Sequence, residues 1–327
     1  MRPEASKPRW AAEQDRVRVG VSSCLLGQGV RYNGGYKRDA FLVDTLGRYV
    51  EWVPVCPEVE LGMGVPREPM RLERRDGQVA MLGITSRTDH TPAMLSFARR
   101  HLAALAAEHL SGYVLKNDSP SCGLERVRVY GAGGVPSRSG RGLFAAALLQ
   151  RFPDLPVEEE GRLGDPRLRE SFIERVFAYH RLQVFFTGRW SLGGLVAFHT
   201  AHKLQLLAHS TTAYQVLGRL VSGARERARA DLRASYSAQF MAALRHRATV
   251  GKHTNVLQHM AGYFKHELEA PARHELLGLI DEYRRGLVPL LLPVTLVRQH
   301  VDRCNVSYLK GQVYLDPYPR ELMLRNA

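Results

Sequence analysis

The chain has 327 residues, enough for two ordinary domains, with 45% hydrophobic and 24% charged residues and a formal net charge of +14. Four cysteines scattered over that length exclude the disulfide framework of a small secreted domain and leave reduced thiols or metal ligands. No N-terminal apolar segment of signal-peptide length occurs and no stretch nears the roughly 20 apolar residues that cross a bilayer, so a cytoplasmic protein without membrane attachment is expected.

Residues 1–15 read as an N-terminal extension. From Arg16 to Val21 an apolar, β-branched strand runs directly into Ser22-Ser23-Cys24. Arg31-Tyr32-Asn33-Gly34-Gly35 is a turn signal that carries stacking and hydrogen-bonding groups. Val53-Pro54-Val55 leads into Cys56 as the first strand leads into Cys24. Pro92 to Leu110 places Met94, Leu95, Phe97, Leu102 and Leu105 at helical spacing and closes at Ser111-Gly112. A third strand, Tyr113 to Lys116, runs towards Asn117-Asp118-Ser119-Pro120-Ser121-Cys122. Gly131 to Gly142 reads as a flexible loop, and it is no phosphate loop because it lacks the Gly-Lys-Ser/Thr ending. A helix over Leu143–Arg151 follows, and Pro153, Pro156 and Glu158-Glu159-Glu160 before Gly161 read as a linker. Strands and helices that alternate in this way predict an α/β domain over 16–160, a largely parallel sheet flanked by helices, with ligands beyond the carboxyl ends of the strands.

Beyond Asp165-Pro166 strand signals almost vanish. Amphipathic stretches over roughly 166–182, 192–221, 224–247, 252–267 and 271–285 predict an all-α C-terminal domain over 161–327. Charge divides with the domains. Residues 1–160 carry 22 Lys and Arg against 19 Asp and Glu, net +3, whereas 161–327 carry 24 against 13, net +11, with ten of the thirteen histidines. A positive field of that size favours phosphate backbones, so this half is the expected RNA-binding element. Arg189, Lys203, His199 and His202 are the candidates for an RNA face, while Phe185, Phe186, Trp190 and Tyr214 fit a core better than a stacking platform.

Cys24, Cys56 and Cys122 are separated by 32 and 66 residues, unlike the close pairs of zinc fingers and ferredoxins. Placement says more than spacing. Each follows a strand and stands within a few residues of Pro or Gly, so the three can converge above one sheet edge. Three thiolates on a four-iron cluster leave one iron open to a thiophilic contact. A three-iron cluster, zinc, or plain buried cysteines remain open on spacing alone. Cys304 has no such context and reads as structural.

Ser23-Cys24-Leu25-Leu26-Gly27 with Val30 to Gly35, then Val55-Cys56-Pro57-Glu58, then Lys116 to Gly123 together resemble the TudS-type thiouracil desulfurases, in order, over about residues 16–160. Phe185 to Arg189 and Leu195 to Leu204 resemble the YbgA-type helical domain. Proteins that fuse the two resemble bacterial desulfidases that convert 4-thiouridine in tRNA to uridine. The resemblance implies a [4Fe-4S] cluster on Cys24, Cys56 and Cys122, with sulfur taken up at the open iron, and a carboxylate and a serine that map to Glu58 and Ser119. Sulfur then leaves as sulfide without net electron transfer, because hydrolysis keeps the carbon at one oxidation level.

Glu58 stands two residues from a ligand cysteine and is the expected proton acceptor for the attacking water, with Asp118 as its competitor and Ser119 positioning water or base. Arg31, Tyr32, Asn33 and Gly34 are the expected base pocket, Tyr32 stacking and Asn33 reading a pyrimidine edge. Two other functions stay open: desulfuration of free 2-thiouracil or a related thionucleobase, and a non-catalytic iron-sulfur sensor that binds nucleic acid. Nothing in the sequence assigns an oligomeric state.

Overall fold

A computed structural model describes residues 17–131 and 133–326; the expected extension over 1–15 lies outside the described residues. These residues fall into two compact units divided between Phe172 and Ile173, twelve residues beyond the expected linker.

The first unit runs β1 (Val17–Ser22), β2 (Val50–Val55), α1 (Pro57–Glu60), β3 (Met70–Arg75), β4 (Gln78–Gly83), α2 (Thr91–Leu105), β5 (Gly112–Leu115), β6 (Val127–Tyr130), β7 (Pro136–Gly140), α3 (Leu143–Arg151) and β8 (Val157–Glu159). It is the expected α/β domain. β1, β2, β5 and β8 form a wholly parallel sheet in the order β2-β1-β5-β8, with Val19 opposite Trp52 on one side and Gly112 on the other. β5 is buried along its whole length, as a central parallel strand must be. Met94, Phe97, Ala98, Leu102 and Leu105 form the buried stripe of α2. Phe144 of α3 lies 6.3 Å from Phe97 and 6.2 Å from Tyr113 between ring centres, which ties both helices to the sheet.

Two expectations fail here. A second sheet, in the order β4-β3-β6-β7, was not anticipated, and part of the expected loop at Gly131 to Gly142 forms its edge strand β7. The expected linker Glu158-Glu159-Glu160 lies largely in β8, where all three residues of the strand are buried.

The second unit is helical: it contains the end of α4 (Pro166–Phe186), then α5 (Leu192–Ala201), α6 (Lys203–His209), α7 (Thr211–Ser222), α8 (Arg229–Arg245), α9 (Val250–Gly262), α10 (Ala270–Arg284), α11 (Leu291–Arg303) and α12 (Ser307–Lys310). The single stretch expected over 192–221 breaks into three helices. Ser191 caps α5 by accepting from Gly194 N at 2.9 Å, and Ser210 caps α7 by accepting from Ala213 N at 3.1 Å. Its core divides into two clusters, one around Phe198, Tyr236 and Phe240, the other around Phe264, Val294 and Tyr314. Among the described residues no helix is long and apolar enough to cross a membrane.

Candidate active site

Each candidate ligand is set by a different local device. Cys24 lies in a tight turn over Ser23–Leu26 at the end of β1; Gly27, at φ +92°, ends that turn in the left-handed region that glycine tolerates. The Cys24 carbonyl accepts from Lys37 N at 2.9 Å, which closes the Val30–Gly35 excursion back onto the ligand. Cys56 caps α1, with Pro57 at the first helical position, and its amide donates to Glu60 Oε1 at 2.9 Å. Its thiol faces the Val30 carbonyl at 3.8 Å.

Cys122 sits on a loop stitched from both sides. Ser119 Oγ accepts from the amides of Ser121 at 3.3 Å and Cys122 at 3.1 Å. The first amides of α3, which lack partners within their own helix, donate to the same loop: Leu143 N to Pro120 O at 3.1 Å and Ala145 N to Ser121 O at 3.1 Å. Gly142 makes this approach possible, since a Cβ there would stand 2.4 Å from Ser121 O. The loop's ends are held by the carboxylates expected in a linker. Glu160 accepts from Asn117 N at 2.7 Å and pairs with Lys116; Glu159 accepts from Leu124 N at 2.6 Å.

The three thiols line one cavity of about 460 Å³. Burial pushes Cys24 up to about 11, against the opposing pull of Lys116, and pushes Cys122 up to about 12, with Glu58 adding to the rise. Cys56 is raised as well, mainly by burial, and its charge is felt at both other thiols. A metal that binds here must displace the thiol protons, which soft thiophilic iron does by forming thiolate bonds. Among the described residues no three His, Cys, Asp or Glu side chains close around a single ion. Three cysteine sulfurs around one cavity are a donor set that suits an iron-sulfur cluster with one ligand per iron.

Glu58 is buried beside this space. Its carboxylate accepts from Ser121 Oγ at 2.6 Å and from Arg67 Nε at 2.9 Å, with Arg67 Nη2 closing a two-pronged ion pair. Ser119 Oγ lies 3.0 Å from Ser121 Oγ. Ser121 has one hydroxyl proton, and a carboxylate can only accept it, so the chain runs Ser119 to Ser121 to Glu58. Asp118, at φ +53°, pairs with Arg128 at 2.7 Å on the cavity rim.

Arg31 and Tyr32 line the cavity, whereas Asn33 and Gly34 do not. The Asn33 side chain is committed to its own turn, accepting from Gly35 N at 3.1 Å, and Gly34, at φ +77°, completes that turn. Both residues shape the loop that carries Arg31 and Tyr32.

In the helical unit Arg189 is exposed and Lys203 half-buried, its Nζ 6.0 Å from the centre of the Tyr214 ring. His199 and His202 do not face RNA: they are 8% and 0% exposed. His199 Nδ1 meets Tyr236 OH at 3.2 Å, and burial pushes its pKa down to about 4. His202 stacks on Phe198 at 4.0 Å, bonds the Phe198 carbonyl through Nδ1 at 2.7 Å, and accepts from Arg181 Nε at 3.3 Å. Both are core histidines, with no ring nitrogen on an outer face.

Arg67, Ser121 and Lys116 escaped the sequence reading. Lys116 and Ser121 stand inside the Lys116 to Gly123 motif, next to residues singled out for other reasons. Arg67 follows the Gly64-Val65-Pro66 turn, and no periodicity points from there to Glu58.

The 2-thiouracil desulfurase family matches residues 19–160, and the family described as a protein of unknown function, DUF1722, matches residues 203–319. The uncharacterized protein YbgA of Escherichia coli (strain K12) is 34% identical over 162 residues, 49% of this chain and 96% of the relative. The uncharacterized protein YbbK of Bacillus subtilis (strain 168) is 34% identical over 111 residues, 32% of this chain and 71% of the relative. A solved structure of the [4Fe-4S]-dependent thiouracil desulfidase TudS is 34% identical, with a TM-score of 0.39, covering 48% of this chain and 100% of that one.

Proposed function

The chain belongs to the 2-thiouracil desulfurase family over its first half and to the YbgA-like DUF1722 family over its second, and on that footing we propose an iron-sulfur desulfidase that replaces C=S by C=O in a thiolated pyrimidine, with 4-thiouridine in tRNA as its substrate. The observation that carries the proposal is the meeting of Cys24, Cys56 and Cys122 in one cavity beside the buried Glu58–Ser121–Ser119 chain. The three cysteines hold a [4Fe-4S] cluster, as the family relative TudS is named for. When bound, that cluster supplies an open, thiophilic iron for the thiocarbonyl sulfur.

The residues do the rest. Glu58 takes a proton from the water that attacks the ring carbon, and Arg67 fixes the orientation of its carboxylate. Ser121 carries Glu58's second oxygen, and Ser119 passes its own hydrogen bond into the same chain while holding the Cys122 loop. Water adds its oxygen to carbon, its two protons leave with sulfur, and hydrogen sulfide and the oxo-pyrimidine are the products. Asp118, engaged by Arg128 at the rim, serves substrate placement better than proton transfer. Arg31 and Tyr32 flank the base. The net +11 of residues 161–327 and the exposed Arg189 support RNA as the carrier of the thionucleotide.

Sulfide release by the anaerobically reconstituted full chain, from 4-thiouridine-containing tRNA and from free 2-thiouracil in parallel, tests the proposal. Faster release from tRNA at equal concentration is expected. Release from the free base alone transfers the function to a nucleobase desulfidase, and release from neither leaves an iron-sulfur protein without this chemistry.

A further inference from the structure

The cysteine cavity does not end at its rim. At Asn117 and Asp118 it adjoins a second cleft of about 300 Å³, to which Arg126, Arg138 and Arg162 contribute. The β6–β7 hairpin contributes Arg138 to this cleft, and its register sets Arg128 directly opposite Arg138. Asp118 neutralises Arg128, which leaves Arg138 as the uncompensated charge of this cross-strand pair. Arg126, just before β6, is held at φ +58°, a conformation that a long side chain adopts rarely and that concentrates at ligand sites.

Acidic groups are present but already engaged. Asp118 pairs with Arg128 at 2.7 Å, and Glu125 with Arg162 at 3.6 Å. Glu159 is turned inward on the amides of Leu124 and Glu125. Among the described residues Arg126 and Arg138 are left without an ion-pair partner in an open, solvent-facing cleft beside the site.

We propose that Arg126 and Arg138 form a phosphodiester-binding groove that seats the RNA backbone next to the thionucleotide whose base enters the cysteine cavity. The inference rests on the thionucleotide reading above and deepens it: the RNA is gripped by the catalytic unit itself, not only by the basic helical unit. Guanidinium forks suit this task because their planar donors match phosphate oxygens in pairs. Backbone contacts of this kind fix register and orientation and carry no sequence information, so the groove places a base without selecting its neighbours.

The test is fluorescence anisotropy of the full chain with a short, labelled single-stranded oligouridylate that contains no thionucleotide, over a range of salt. Arg126→Ala/Arg138→Ala should weaken binding roughly threefold to tenfold near physiological salt and make the log-log salt dependence shallower by about 1.4, roughly 0.7 for each lost contact on a single strand. The charge-matched Arg99→Ala/Arg100→Ala variant, changed on an exposed stretch of α2, should bind as the wild type does. Unchanged affinity and slope in the hairpin variant overturn the groove, and an equal loss in the α2 variant reduces it to a diffuse positive field. Because the probe carries no sulfur, either result stands apart from desulfuration: a wild type that releases no sulfide from any thiolated substrate defeats the desulfidase proposal, while the anisotropy still decides the groove.

Discussion

Replacing Glu58 separates proton transfer from structure, provided that the replacement respects what surrounds it. Arg67 and Glu58 have only 7% and 11% of their side chains exposed, and the pair is two-pronged. Glu58→Ala leaves the guanidinium buried with the carbonyls of Val30 and Gly64, both at 3.0 Å, as its remaining partners. Breaking a buried pair from one side costs about 3–5 kcal/mol, which is enough to disturb the Val30 loop and the Cys56 thiol that faces it. A fall in activity of the alanine variant therefore mixes two effects. Glu58→Gln keeps the volume and one oxygen for Arg67 or Ser121, at a cost of about 1–3 kcal/mol for hydrogen bonds weakened or lost at a charged acceptor. An amide cannot take the proton from water, so turnover of the glutamine variant should fall by about 10²- to 10⁴-fold at full cluster content. Glu58→Ala/Arg67→Leu, which removes both charges, should recover much of the melting temperature of the single alanine variant and none of its turnover. The assay is sulfide release per cluster, set beside thermal melting of the same samples. A Glu58→Gln protein that turns over within a factor of about three of wild type would refute proton transfer by Glu58 and move the role to Asp118.

Gly142→Ala should disturb Cys122 from the far side of its loop: the new Cβ would meet Ser121 O at 2.4 Å and Cys122 N at 2.8 Å, so the backbone must part. A loss of about 1–3 kcal/mol in stability and a lower iron content on reconstitution are expected, and a variant with normal stability and normal iron contradicts the stitched-loop account. The helical unit should weaken in mild acid. Burial pushes His199 down to about 4 and His253 down to about 3, so the unfolded chain takes up protons below pH 6.5 that the folded chain refuses. Stability from each is intact above pH 6.5 and is lost as pH falls towards those values, by up to on the order of 3 kcal/mol at the lower end for His199. Denaturant titrations at pH 7.5 and pH 4.5 check this, and His199→Gln should flatten part of the slope; a pH-independent midpoint speaks against neutral, buried histidines.

The parallel sheet and its thiols were legible because their signals are local. Val17, Val19 and Val21 are wholly interior, and each of the three strands leads towards a cysteine within the next few residues. The second sheet was missed although Asp76-Gly77, both at positive φ, is a strong hairpin turn between β3 and β4. Its flanks, Met70–Arg75 and Gln78–Gly83, alternate poorly because β3 is part-exposed and rich in arginine. The Glu158–Glu160 run looked like a linker because charge usually means solvent. Here two of the carboxylates are spent on the amides of the Cys122 loop, a partnership formed across more than thirty residues that no local pattern announces. Neighbouring basic residues suggested an RNA face for His199 and His202, but α5 packs that side against Tyr236 and Phe240, and packing decided the matter. The helices from 192 to 221 merged in the sequence for the opposite reason, since Ser210 is a readable cap that apolar periodicity ran straight over.

The cluster assignment depends on which cysteines bind iron. Iron per chain should be measured after anaerobic reconstitution of Cys24→Ala, Cys56→Ala, Cys122→Ala and Cys304→Ala, beside wild type. Cys304 packs at the edge of a helical core cluster in the second unit, so its variant should keep the wild-type iron content. Each of the other three should lose the cluster and its brown absorption, and full cluster occupancy in Cys56→Ala would contradict the assignment.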